Sequence, residues 1–363
     1  MAGFEGIKWA SHQMCYDIID DHFEMLPGDA KTTAVSKSIH YGMFLTFEGI
    51  RFFCRRNEAG ALEIIFLNWD MNLQRFQQGI AFNLSRNQQH LVPSADKLEH
   101  IFVRHFFEHK AMRPFFEEMA DTEAQGYLRP FTVDEDQSIG VTFPARPSIR
   151  AVVCRYDSYL GEPYKGVVVP NVVRAVKING TGCLKLSANY LMSIKSVDMA
   201  RAIVPDAATA LLLDDQVHKP LEERLITEWD TSCCLFAFRD GTVVKIPESP
   251  LILPSVTIQG IVSILQEMGV NVLEQDISYG RLLQAVQRNE LVTVCSIGTA
   301  GILNRCQELH LVNSRNEVCA VHRWDSSHPL FQTFADARRH YWDIYRGLRK
   351  IPAGMRIDKY ELD

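Results

Sequence analysis

The sequence predicts a two-domain protein of mixed class, α+β in its first half and α/β-like in its second. Its 363 residues exceed the usual length of one domain and suffice for a sizeable core. Strand-type and helix-type apolar periods alternate along the chain, with no internal repeat and no low-complexity tract. Residues 159–172 combine Gly, Pro and charge between two regions of different style, so the interdomain linker is expected there. Residues 1–38, marked mainly by the Pro27-Gly28-Asp29 turn, are expected to be an N-terminal extension. Residues 39–158 then form a small α+β domain and residues 173–363 a larger one.

Within the first domain, His40 to Arg56 is rich in strand formers and Leu62 to Leu67 is a second apolar run, with an Asn57-to-Gly60 turn between them, which reads as a hairpin. Asn72 opens a helical pattern. Ser94 is a good N-cap for a helix extending to residue 110. Gly126 to Phe131, Ile139 to Phe143 and Arg150 to Tyr156 read as strands. In the second domain, residues 190–203 are helical and Thr209 to Asp215 is a short buried strand. Arg239-Asp240-Gly241 is a hairpin turn, and residues 255–268 form a helix closed by Gly269. A strand from Asn271, a helix over 279–288 and a strand from Leu291 to Ile297 complete the pattern.

Hydrophobic residues make up 47% and charged residues 23%, with a net charge of -6. That balance argues against a general nucleic-acid or acidic-membrane binder, which needs a basic surface to displace counterions. The expected partner is a small molecule or a second copy of the chain. None of the nine cysteines lies in a C-x-x-C pair, and adjacent Cys233 and Cys234 do not bridge easily, so a reducing compartment is expected. No stretch reaches the ~18 apolar residues of a membrane span, and the N-terminus has no basic region followed by an apolar run. A cytoplasmic location without membrane contact is the expectation.

Chemistry is expected at Lys185, which lies in Gly180-Thr-Gly-Cys-Leu-Lys-Leu-Ser-Ala-Asn-Tyr190. A Gly-Thr-Gly turn lets backbone approach a ligand, and small neighbours allow the amine to be desolvated into a Schiff-base nucleophile. Two downstream signals suit an anion. Pro254-Ser-Val256-Thr257 opens a helix with hydroxyls in its first turn, and Gly298-Thr299-Ala300 follows a buried strand. A plain N-cap and a strand-end turn are the alternative readings of these two. A third constellation, His105-Phe-Phe-Glu108-His109, fits the H-x-x-E-H pattern of a zinc hydrolase; without a companion motif it stays a remote alternative, and no metal is expected.

With these residues in view, the sequence resembles the class IV, or fold type IV, pyridoxal-phosphate enzymes, and within them the branched-chain aminotransferases. The resemblance runs from about residue 38 to about residue 312. His40-Tyr-Gly with Phe47-Glu-Gly-Ile-Arg, Asn72-Leu-Gln-Arg75, Tyr127-Leu-Arg129-Pro, Lys185-x-x-x-Asn189-Tyr190, Ile226-Thr-Glu228, Ile252-Leu-Pro-Ser-Val256-Thr257 and Gly298-Thr299-Ala300 occur in the family's order. The resemblance implies a small N-terminal and a larger C-terminal domain with the cofactor, pyridoxal 5'-phosphate, between them, and a homodimer.

It also implies roles. Lys185 holds the cofactor as an internal aldimine and shuttles the proton. Glu228 faces the pyridine nitrogen, Tyr190 donates to the ring hydroxyl, and Arg75 pairs with the phosphate, with Val256, Thr257 and Thr299 completing its cradle. Tyr41, Phe47, Tyr127, Arg129, Tyr159, Thr299 and Ala300 line the substrate side, although plain core packing is an equal reading for each aromatic. The implied reaction is transamination between an amino acid, branched-chain-like or specialised, and a 2-oxo acid; a pyridoxal-phosphate lyase is the alternative.

Three departures bear on the substrate. Glu228 is followed by Trp229-Asp-Thr-Ser-Cys233, where the family has small residues and then Asn, and a Trp beside the cofactor would reshape the pocket. Ile258 stands where an Arg is usual. Leu303-Asn304-Arg305 replaces a Pro-Val pair.

Overall fold

The structure is a computed structural model that describes residues 4–32, 34–122, 124–159 and 161–362, without the side chains of Phe4, Glu5, Ser158 and Tyr159. The chain divides into two compact units. One comprises Phe4–Asp157 with Leu184–Ala188 and the segment from Arg356; the other comprises Ser158–Cys183 and Asn189–Met355.

The first unit is built on an antiparallel sheet in the order Ile357–Leu362, Leu62–Leu67, Ile50–Arg56, Gln125–Asp134, Pro147–Tyr156, His12–Asp17, His22–Pro27. Its apolar face is covered by the helices Trp69–Asn83, Ala95–His100 and Arg113–Thr122 and by a π-helical turn, Ile101–Phe107. Aromatic rings carry this core. Phe66 stacks on Trp69 at 4.3 Å, and Phe107 packs on Phe52 at 5.3 Å and on Phe116 at 5.0 Å. Each such buried ring contributes on the order of 2–3 kcal/mol through the apolar area it removes from water.

Four expectations are corrected in this unit. Residues 1–38 are not simply an extension, because Met14 pairs with Ala151 and Tyr16 with Ile149, which adds the hairpin 12–27 to the sheet; both side chains are buried. The C-terminal strand also belongs here, running along Leu62–Leu67 from Leu362↔Leu62 to Ile357↔Leu67. Ile139 to Phe143 is a loop although its apolar residues alternate. The Asp134 carboxylate collects the N–H groups of Asp136, Ala145 and Arg146 and closes the segment on itself, leaving Ile139 and Val141 at 70% and 75% exposure with no strand beside them. The helix expected over 95–110 is capped by Ser94 as expected, and then widens into π turns from Ile101.

The second unit holds a mixed sheet in the order Ile226–Trp229, Ala207–Leu213, Tyr164–Val169, Ile302–Val312, Leu291–Gly298, Cys233–Phe238, Val243–Lys245, Val272–Glu274, with Val318–Arg323 paired to Ile302–Val312. Tyr164–Val169 runs parallel to both of its neighbours. The expected linker 159–172 therefore contains a central strand. Val167, Val168 and Val169 are buried, as a parallel strand covered on both faces requires. The helices Ala188–Ile203, Val256–Glu267, Tyr279–Gln287 and Pro329–Tyr345 complete the unit. Among the described residues, no helix is long and apolar enough to cross a membrane.

Candidate active site

Lys185 enters the first unit next to a single β-bridge. Leu186 bridges Thr46, and the Ser187 N–H donates to the Leu45 carbonyl at 3.0 Å. The Lys185 carbonyl accepts twice, from the Phe47 N–H at 3.1 Å and the Thr46 hydroxyl at 3.0 Å. Residues 46–48 are held in turn by the strand Gln125–Asp134 through Thr132 N–H to Thr46 O at 3.0 Å and Glu48 N–H to Pro130 O at 2.9 Å. The lysine backbone is thus fixed to a rigid sheet.

Five of the described side chains bear on the amine. Its Nζ stands 5.0 Å from the centroid of the Phe47 ring. The Arg129 guanidinium lies 4.6 Å from the same ring and 5.1 Å from the Tyr127 ring, and its Nη2 donates to the Tyr127 hydroxyl at 2.8 Å. Tyr127 comes so close to the chain that a Cβ on Gly49 would sit 2.0 Å from its hydroxyl, which explains the glycine at 49. Arg75, from the helix Trp69–Asn83, grips Glu48 with Nε to Oε2 at 2.7 Å and Nη2 to Oε1 at 2.5 Å; both residues are buried. Burial lowers the Lys185 pKa first and the Arg75 charge second, to about 8, against the opposing pull of Glu48 and Tyr127. Burial opposes ionisation of Glu48, but the Arg75 charge and hydrogen bonds outweigh it and hold the carboxyl below its ordinary value.

Tyr41 lies on another element of this unit. It ends the short helix Lys37–Tyr41, is 52% exposed, and has an edge contact with His40. The Tyr159 side chain lies outside the described residues.

In the second unit, Glu228 lies on the strand Ile226–Trp229, buried, and accepts from Arg174. The same Arg174 nitrogen reaches the Leu251 carbonyl at 3.0 Å and the Gly182 carbonyl at 3.2 Å. Asn189 closes the Gly-Thr-Gly turn by donating to Thr181 O at 2.7 Å and accepting from the Thr181 hydroxyl at 2.8 Å. Tyr190 follows in the first turn of Ala188–Ile203, half-buried. Val256 and Thr257 begin their helix as expected and are buried, while the Ser255 side chain caps it by accepting from the Ile258 N–H. Thr299 and Ala300 form the turn between two paired strands, whose exit residue Ile302 takes a φ of 60°.

One departure resolves differently from the expectation. Trp229 does not reshape a pocket. Successive strand residues face opposite ways, so beside the Arg174-paired Glu228 the indole turns into the sheet core, where its N–H donates to Cys295 O at 3.1 Å and its ring fills the space over Gly166. Ile258 is likewise buried. The zinc-hydrolase alternative loses its geometry. The π turns and the chain turn after Phe107 break the helical spacing of His105 and His109; His105 stacks on Phe23 at 5.1 Å and Glu108 pairs with Arg104.

Sequence reasoning missed Glu48 and Arg174 as functional partners. The available signal was a carboxylate inside a strongly apolar run and an arginine after Val172-Val173, since a charge in such a context needs a buried partner.

No family model matches the chain. A probable branched-chain-amino-acid aminotransferase of Staphylococcus aureus (strain N315) is 24% identical over 327 residues, covering 86% of this chain and 84% of that protein. The solved structure of a branched-chain aminotransferase from Thermoproteus uzoniensis with norvaline superposes with a TM-score of 0.67 at 20% identity, covering 93% of this chain and 96% of that one. A branched-chain amino acid aminotransferase from Thermobaculum terrenum in its PLP-form gives 0.63 at 15% identity, covering 94% and 95%. The fold is therefore the two-domain fold type IV architecture of these enzymes.

Proposed function

We propose that this chain, which has the fold of the branched-chain aminotransferases, is a class IV aminotransferase dependent on pyridoxal 5'-phosphate. The observation that carries the reading is the Lys185 amine, fixed to a sheet and with its pKa lowered to about 8 beside Arg75. The donor set suits the cofactor. An amine that is partly neutral near pH 8 can take an aldehyde, a buried arginine can face a phosphate, and a buried carboxylate, Glu228, can face a protonated ring nitrogen. The sequence and fold neighbours, named as branched-chain aminotransferases, support the same reaction class.

When bound, the cofactor supplies an electron sink for a carbanion. Lys185 would hold the cofactor and would serve as the group that takes and returns the proton at the substrate α-carbon. Arg75, Val256, Thr257 and Thr299 would hold the phosphate, Tyr190 would meet the ring hydroxyl, and Glu228, paired with Arg174, would face the ring nitrogen. Phe47, Tyr127, Arg129, Tyr41, Tyr159 and Ala300 are assigned to the substrate, an amino acid with an apolar side chain of the branched-chain kind. Trp229, whose side chain turns into the sheet core, does not favour the lyase alternative.

A panel of amino donors added singly to the cofactor-loaded protein tests the reaction. An aminotransferase converts the bound cofactor to its pyridoxamine form with the donor alone, and leucine, isoleucine or valine should do so fastest. Release of an olefinic or deaminated product with the aldehyde form regenerated would instead establish a lyase.

A further inference from the structure

We infer that Glu48 is a positioning residue that clamps Arg75 in one orientation and balances its charge beside Lys185. The inference rests on the proposed function only in taking the cofactor phosphate as the anion that Arg75 meets.

The geometry leaves Glu48 little other role. Its carboxylate is fully buried, with both oxygens engaged by the Arg75 fork, and Oε1 also accepts from the Gly49 N–H at 2.7 Å. A two-bond fork fixes the plane and direction of a guanidinium as one bond cannot. Glu48 immediately follows Phe47, whose N–H holds the Lys185 carbonyl and whose ring stands 5.0 Å from the amine, so the same four-residue segment sets both the lysine and the arginine. Among the described residues, the charged and titratable groups that bear most on the amine include Arg75 from the helix, Glu48 from this segment, and Tyr127 and Arg129 from the strand Gln125–Asp134. With Glu48 ionised, one of the two neighbouring cations is offset. Without it, both act on the ammonium form and drive its proton off at lower pH.

The test uses the full-length protein and four forms: wild type, Glu48→Gln, Arg75→Gln and the double variant. The first readout, in cofactor-free protein, is the pH midpoint for labelling Lys185 with an amine-reactive reagent, read by mass spectrometry. The second is the ratio of affinities for pyridoxal phosphate and for pyridoxal, which lacks the phosphate. The inference predicts that Glu48→Gln lowers the midpoint by about one unit or more and that Arg75→Gln raises it, with the double variant lying between them. It also predicts that Glu48→Gln reduces the preference for the phosphorylated compound about tenfold or more, because Arg75 is released from its orientation.

A folded Glu48→Gln protein in which either readout is unmoved overturns the inference. Should that variant fail to fold, the charge-neutral double variant decides. A midpoint near that of wild type, with the phosphate preference lost, supports the inference, and a midpoint well below wild type overturns it. A wild-type protein that binds neither pyridoxal compound refutes the proposed function, while the labelling midpoint still judges the charge balance.

Discussion

An exposed lysine is protonated at neutral pH and reacts poorly with carbonyl groups, so what Lys185 can do depends on what surrounds it. Burial and the Arg75 charge bring its pKa from 10.5 to about 8. At pH 7.5 roughly a quarter of the amines are then neutral, against roughly one in a thousand at the ordinary value. The sign of the pH dependence follows. The folded protein sheds this proton at lower pH than the unfolded chain, so folding is penalised at and below pH 8 and the penalty is relieved as pH rises from about 8 towards 10.5. The rate at which cofactor-free protein captures pyridoxal phosphate should climb with pH through a midpoint near 8. A stopped-flow absorbance series would show it, and a rate still rising steeply above pH 9.5 would mean an unshifted lysine. At this scale the residue types were legible in the sequence, because Lys185, Arg75 and Glu228 lie in spaced segments whose order is itself informative. Their ionic partners were not. A sequence shows that a buried charge needs a counter-charge but not which one folding delivers, and so Glu48 and Arg174 emerge only from the structure.

Elements show the same division between pattern and context. The buried strands Leu62–Leu67 and Leu291–Gly298 and the helix Val256–Glu267 were readable from period and capping residues, because burial on one or both faces imposes those patterns. Residues 139–143 alternate equally well and form no strand, since alternation needs a neighbouring strand to pair with and Asp134 ties the segment into a loop. The strand Ile226–Trp229 depends on a matched pair across the sheet, where Trp229 fills the room that Gly166 leaves. A Cβ at 166 would stand 2.6 Å from the indole. Gly166→Ala should therefore destabilise the protein by about 1–3 kcal/mol through overpacking. Chemical denaturation would measure the change, and a variant as stable as wild type would show that the sheet yields there at no cost.

At the scale of the molecule, the sequence order of the segments disclosed the architecture, but chain position misled on boundaries. The hairpin 12–27 and the strand Ile357–Leu362 come from the two ends of the chain and join one sheet, and the five residues around Lys185 leave their sequence neighbours to join the same unit. Such long-range pairings follow from tertiary register, which no local period encodes. The homodimer that the family resemblance implies belongs to this scale. Leu191 and Ile194 lie one helical turn apart on Ala188–Ile203 and are 62% and 68% exposed, an apolar pair that a second copy would cover. Sedimentation should report two chains for wild type and one for a Leu191→Lys, Ile194→Lys protein, whereas a monomeric wild type would remove the dimer. If one lysine of this fold carries the cofactor, borohydride reduction of the pyridoxal-phosphate-loaded protein followed by peptide mass spectrometry should find the phosphopyridoxyl mass on the peptide containing Lys185; the same mass on another lysine, or on none, would contradict that role.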